Sequence, residues 1–223
     1  MVINSVRDLT KDGLTDLKVL PGYVLGFIPS PDTTFTDLSG LVPCDVGDLV
    51  ACVRDVSTNN VIFTQDSHGA RPALAKVGDK YVLRGSHGKS LTCNVPVAAG
   101  SRCFAGACSV NSPFLTVIQA SEHSCYYHPN DISANGYVYS SEVLNTSPKH
   151  FVLQKHNLSN WEYRVNGANV QVAPNANEWE GLYVGDGPYS HSCDFDLYGL
   201  IVCYTLAGVY LPALETYLKG LYA

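Results

Sequence analysis

The chain has 223 residues, 46% hydrophobic and 15% charged, with 14 Tyr, 19 Gly and 12 Pro. Such a composition supports a sizeable core and favours an all-β domain over a helical one, because strand formers and turn formers dominate it. The formal net charge of −6 comes from 14 basic and 20 acidic side chains scattered along the chain, so no cationic stripe is available for phosphates and nucleic-acid binding is not expected.

The first residues, MVINSVRDLTKDGLTDLK, carry charges throughout and lack the apolar stretch of a signal peptide. No run elsewhere reaches the roughly 18 apolar residues of a membrane span. Synthesis in a cytoplasm without membrane insertion is the expectation. Eight cysteines would suit disulfides in a small secreted domain. Cys52 in LVACVRD and Cys203 in GLIVCYT instead sit inside apolar runs, where a reduced thiol acts as a small buried hydrophobe.

Residues 1–20 mix charges with isolated apolar side chains and are expected to be an arm, flexible or docked on a partner. From Pro21 the texture becomes strand-like. PGYVLGF ends at the Pro29 and Pro31 pair; GDLVACVRD, NNVIFTQD and KYVLRG follow, each bounded by Gly, Asn or Asp. Further strands are expected in PFLTVIQAS (113–121), NGYVYSS (135–141) and HFVLQKH (150–156). WEYRVNGANVQV alternates on both sides of Asn166-Gly167, and both positions of a two-residue type I′ turn need positive φ. A hairpin over about 160–172 is therefore expected.

EGLYVGDG adds another strand before FDLYGLIVCYT, whose nearly continuous apolar run predicts burial on both faces. Beyond it, Tyr210, Leu214, Tyr217, Leu218, Leu221 and Tyr222 recur at steps of three and four, the spacing of one helical face. Pro212 suits the first turn of that helix, where a missing N–H costs nothing. The helix is expected to cover the sheet face or edge beside the last strand. No fixed-period repeat and no low-complexity linker divides the chain, so one sandwich over residues 21–223 is the economical organisation.

This order of elements resembles the concanavalin A-like (laminin G-like) β-sandwich domains found in bacteriophage tail and other virion surface proteins. PGYVLGF, GDLVACVRDVSTNN followed by QDSHGARPALAKVGDKYVLRG, then WEYRVNG, EGLYVGDG, FDLYGLIVCYT and ALETYLKGLYA carry the likeness. It covers about residues 20–223 and implies an all-β, jelly-roll sandwich with a short C-terminal helix and an N-terminal arm. Where the family has a Ser-Gly-Asn-Gly type turn this chain has VSTNN, so no ion or ligand site is carried over at that turn. Such folds host lectins, glycoside hydrolases, adhesins and structural virion domains, so the fold does not choose among them.

The chemistry-bearing residues point mostly to a non-enzyme. A retaining glycosidase needs two carboxylates about 5 Å apart, and the Glu-x-Asp-x-x-Glu pattern of sandwich laminarinases is absent. The nearest pairs, Glu178 with Glu180 and Asp194 with Asp196, read as solvated turn carboxylates. GSHGKS (85–90) lacks the Gly-x-Ser-x-Gly spacing of a nucleophile elbow and reads as a Gly-rich loop. His123, Cys125 and His128, and His191 with Cys193, lack the paired knuckles of a zinc site. Asp186, Asp194 and Asp196 could gather hard oxygen ligands for a structural calcium, although acidic residues in Gly-rich turns are ordinary. Among the aromatics, Trp179 and Tyr189 stand next to turns and are the candidates for an exposed sugar-stacking platform.

Two functional expectations follow. The first is a non-enzymatic bacteriophage virion surface protein, a head fibre, capsid decoration protein or tail-associated tip. Its arm would dock on other virion proteins, and copies would associate as a homotrimer. The alternative is a carbohydrate-binding, receptor-recognition module for a host surface glycan, contacted by Trp179 and Tyr189. A glycan hydrolase or lyase is third, disfavoured by the missing carboxylate motif.

Overall fold

The computed structural model describes residues 20, 22–56, 62–93, 103–110, 115–119, 125–128, 131–134, 147–155, 160–174, 183–185, 194–204 and 208–223. In chain order its strands are β1 (Tyr23–Phe27), β2 (Thr34–Phe35), β3 (Cys52–Arg54), β4 (Ile62–Thr64), β5 (Ala73–Val77), β6 (Lys80–Gly85), β7 (Ser90–Cys93) and β8 (Cys103–Val110). They continue with β9 (Leu115–Gln119), β10 (Cys125–His128), β11 (Asp131–Ala134), β12 (Lys149–Lys155), β13 (Asn160–Val165), β14 (Ala168–Pro174), β15 (Tyr183–Gly185) and β16 (Phe195–Cys203). One helix, α1 (Leu211–Gly220), follows them.

The strands form two eight-stranded antiparallel sheets. The first runs β14-β13-β12-β8-β16-β6-β5, with β1 added alongside β16; the second runs β11-β10-β9-β15-β7-β4-β3-β2. Strands alternate their side chains between faces, and the inward sets of the two sheets meet in one core. Leu83, Phe104, Leu197 and Val202 come from the first sheet, Val53, Phe63, Leu91 and Val184 from the second. The architecture is the all-β sandwich with a short C-terminal helix expected from the sequence.

The Asn-Gly hairpin forms as its turn chemistry requires, with Asn166 at φ 49° and Gly167 at φ 80° between β13 and β14. All nine residues of β16 are buried, and both of its faces are used. Leu197, Leu200 and Val202 enter the inter-sheet core, whereas Ile201 and Cys203 lie under α1 with Ala105 and Val152. The apolar stripe of α1 does the covering: Leu211, Leu214 and Leu218 are buried there, with Tyr210, Tyr217 and Leu221 packed around them. Polar ties pin the helix to the sheet. Arg164 Nε donates to Glu215 at 2.7 Å, its guanidinium also reaches Glu162 at 3.3 Å, and His150 Nδ1 lies 2.9 Å from the Tyr222 hydroxyl.

The central strand β8, CFAGACSV, is one that apolar periodicity does not announce. Its small side chains answer a packing demand: a Cβ on Gly106 would stand 2.8 Å from the Phe151 ring and 2.9 Å from the Gly199 carbonyl oxygen. The short strands β2, β7, β10 and β11 were likewise not expected. Residues 1–19, which hold nearly all of the expected arm, and residues 135–141, an expected strand, lie outside the described residues. No helix among the described residues is long and apolar enough to cross a membrane.

Candidate functional site

The antiparallel registers bring several sheet-to-sheet crossings to one rim of the sandwich. Ala73 at the start of β5 pairs with Arg84 near the end of β6, Phe195 at the start of β16 pairs with Gly85, and Ser90 at the start of β7 pairs with Gly185 at the end of β15. The connections β4–β5 and β6–β7 therefore lie side by side, and the segment leading into β16 arrives beside them. Loops gathered at one end of a rigid sandwich are where binding residues are commonly carried.

A groove of about 600 Å³ opens at this rim, lined by Leu49, Arg71, Ala73, Arg84, Gly85, Ser86, Lys89, Asp194, Phe195 and Asp196. Its floor is tightly packed. A Cβ on Gly85 would stand 2.3 Å from the Phe195 ring, and one on Gly185 would stand 2.4 Å from the Lys89 carbonyl oxygen, so only glycine fits at either place. The walls are interlocked by side-chain to backbone bonds. Gln65 Nε2 donates to the Ser90 carbonyl at 3.2 Å, while the Gln65 carbonyl accepts from Arg71 Nε at 2.9 Å.

Three cations line the groove, and they are held in two different ways. Arg84 grips Asp196 through both carboxylate oxygens, at 2.6 and 2.9 Å, and this hydrogen bonding raises the guanidinium pKa further. Arg71 instead donates to three neutral backbone carbonyls, those of Gln65, Thr36 and Asp66, at 2.9, 3.3 and 3.3 Å. Lys89 Nζ likewise donates to the Gly69 carbonyl at 2.6 Å. Among the described residues neither Arg71 nor Lys89 has a carboxylate within ion-pair distance.

The residues singled out from the sequence fare unequally. Asp194 is exposed on the groove wall. Asp196 is not a solvated turn carboxylate: it is a buried residue within β16, 6% exposed, and both of its oxygens are taken by Arg84. That pairing occupies both of its oxygens with a guanidinium, and among the described residues no three His, Cys, Asp or Glu side chains gather as a metal site. Trp179, Tyr189, Asp186, Glu178 and Glu180 lie outside the described residues. The chain on either side of Asp186 and Tyr189 adjoins the groove, through Gly185 and Asp194.

Arg71, Arg84 and Lys89 were not singled out, because they are ordinary basic residues 13 and 5 positions apart and only the strand register unites them. The weak signal available was the segment GSHGKS, which reads as a Gly-rich loop. The thiols do match the sequence reading. Cys44, Cys52, Cys103 and Cys203 are all buried, and burial pushes the Cys44 pKa up to about 11 and that of Cys203 up to about 12. Neither is a thiolate nucleophile at neutral pH.

No protein-family model matches the chain, and no curated protein matches it. Solved structures do. Trypanosoma rangeli sialidase aligns with a TM-score of 0.59 at 12% identity over 88% of this chain, which spans about a third (32%) of that protein. A structure described as a receptor binding domain aligns with a TM-score of 0.57 at 9% identity, covering 91% of this chain and 51% of its own. Domain 4 of AbnA, an extracellular arabinanase from Geobacillus stearothermophilus, in complex with arabinotriose, aligns with a TM-score of 0.53 at 12% identity, covering 76% of this chain and 92% of that domain. At such identities the likeness establishes the β-sandwich fold.

Proposed function

We propose that this chain is a non-enzymatic carbohydrate-binding module that recognises a glycan on a receptor or cell surface. The observation that carries the reading is the likeness to a whole arabinanase domain solved with arabinotriose, of which 92% is covered. The groove supports it: a concave rim with a small apolar floor and a few fixed polar groups is the usual form of a small-ligand site. Trp179 and Tyr189 are proposed as stacking partners for the sugar. The test is a glycan array probed with folded protein, followed by titration of the best ligand. Saturable binding that weakens in Trp179→Ala or Tyr189→Ala supports both parts of the reading. Folded protein that binds no glycan overturns it.

A second reading is the bacteriophage virion surface protein, anchored by residues 1–20 and self-associated as a homotrimer. One surface feature favours a docking role. Leu41, Val42 and Val46 are 75%, 54% and 54% exposed, and the Asp37 carboxylate accepts from the Leu41 and Val42 amides at 3.0 and 2.7 Å. Deleting residues 1–19, which spares Leu20 buried in the cluster under α1, should abolish particle incorporation while leaving a folded protein. Particles that still carry the deleted form would sink this reading, and a solution mass measurement tests the trimer.

A further inference from the structure

The two modes of cation holding in the rim groove have a consequence for what it binds. In the Arg84–Asp196 pair the charges cancel, so little field reaches a ligand from it. Arg71 and Lys89 are different, because backbone carbonyls fix their head groups without neutralising them. Both residues are partly buried and line the groove, so their uncancelled charge lies at its wall. Asp194 is the opposing carboxylate on the wall, and it is exposed. On a chain of net charge −6, a concave site lined by two fixed cations without described carboxylate partners is a local reversal of sign.

Such an arrangement is built for an anion. The ordering cost of a long cationic side chain is largely spent in advance when its donors are already held by the fold. Arg71 and Lys89 come from different connections, β4–β5 and β6–β7, and are tied to one another's neighbourhood because Lys89 donates to Gly69, two residues before Arg71. Gly85 and Phe195, closely packed against each other, form the apolar part of the lining beside these cations.

We propose that the rim groove binds an acidic saccharide, with the carboxylate or sulfate group of the sugar seated between Arg71 and Lys89. This rests on the carbohydrate-binding reading above and adds the class of ligand. The shared chemistry is a compact anionic group on a pyranose; carboxylate and sulfate are its two sources.

The test uses the full chain on an array carrying neutral, uronate-containing, sialylated and sulfated glycans, then titrates the strongest ligand. The expected ligands carry a carboxylate or a sulfate, and the two groups of spots tell which. Lys89→Gln should weaken binding by about tenfold, the size of one lost charge-assisted contact, and Lys89→Glu by more. Thermal unfolding of both variants should stay at the parent midpoint, since Lys89 makes one surface hydrogen bond. Binding by the unaltered protein should also weaken as salt rises from roughly 0.05 to 0.5 M. If the protein binds only neutral glycans, or if Lys89→Gln and Lys89→Glu leave the affinity unchanged, this inference is overturned while the carbohydrate-binding reading stands. Folded protein that binds no glycan at all overturns both.

Discussion

The two ends of β16 solve opposite problems with the same strand. Its C-terminal half is sealed: Ile201 and Cys203 lie under Leu211, Leu214 and Leu218 of α1, and the other side of the strand fills the sandwich core. Its N-terminal half opens: Phe195 and Asp196 sit at a polar rim groove, where an ion pair and glycines take the place of a covering helix. The sealed half is held by area removed from water, a non-directional contribution that tolerates approximate fits. The open half is held by directed bonds and close contacts, so it has positions at which a single atom decides the outcome.

Breaking the sealed half should have the largest effect. A chain truncated after Ala207 loses α1 and uncovers Ile201, Cys203, Ala105 and Val152; aggregation on size-exclusion chromatography and loss of a cooperative thermal transition are expected. Soluble, cooperatively folding protein would show that the helix contributes little. The point version is Leu214→Ala, at a fully buried position, with an expected loss of about 2–5 kcal/mol by chemical denaturation.

The open half should respond to a smaller change. Gly85→Ala places a methyl 2.3 Å from the Phe195 ring, and overpacking of this kind costs about 1–3 kcal/mol. Because the displaced ring borders the groove, the same variant should alter glycan affinity, whereas Leu214→Ala should leave it near the parent value. Equal effects of the two variants on affinity would erase the distinction between the ends.

The ion pair gives an asymmetric test. Arg84→Ala leaves the buried Asp196 carboxylate unpaired, at about 1–3 kcal/mol, while Asp196→Asn leaves a cation that is half exposed and can be solvated. Denaturation midpoints should therefore fall further for Arg84→Ala. The reverse order would mean that Asp196 gains its solvation elsewhere.

The smallest effect belongs to His150, on the sealed side. Burial is the largest influence and lowers its pKa from the ordinary 6.5; Glu215 opposes this and Lys219 adds to it. The folded state therefore favours the neutral imidazole. Well above pH 6.5 neither state binds the proton, and stability is at its full value. As pH falls below that, the unfolded chain takes up the proton first, so stability declines until the folded imidazole also titrates. Denaturation midpoints measured from pH 7.5 down to 5 should drop in the parent and drop less in His150→Gln.

Much of the fold was legible because its determinants are local. The Asn166-Gly167 turn needs positive φ at both positions, and it has it. The continuous apolar run of β16 demanded cover on two sides, and the three-and-four spacing after Tyr210 named the element that supplies it. The missed strand β8 shows the limit of such reasoning. Its Gly and Ala residues are placed there by the close approach of Phe151 and the Gly199 backbone, a demand made by other strands and invisible in CFAGACSV alone.

The groove lies beyond that limit for the same reason. Arg71, Arg84, Lys89 and Asp196 are spread over 126 positions, and nothing in their own neighbourhoods marks them as a set. By itself the sequence determined what short-range physics controls: alternation, turn chemistry, the helical stripe and the burial of the thiols. Only the tertiary structure decided that Asp196 is gripped by Arg84 while Arg71 and Lys89 are held by carbonyls. Coulombic partnership acts through space at a few ångströms, and antiparallel register, not sequence spacing, sets those distances.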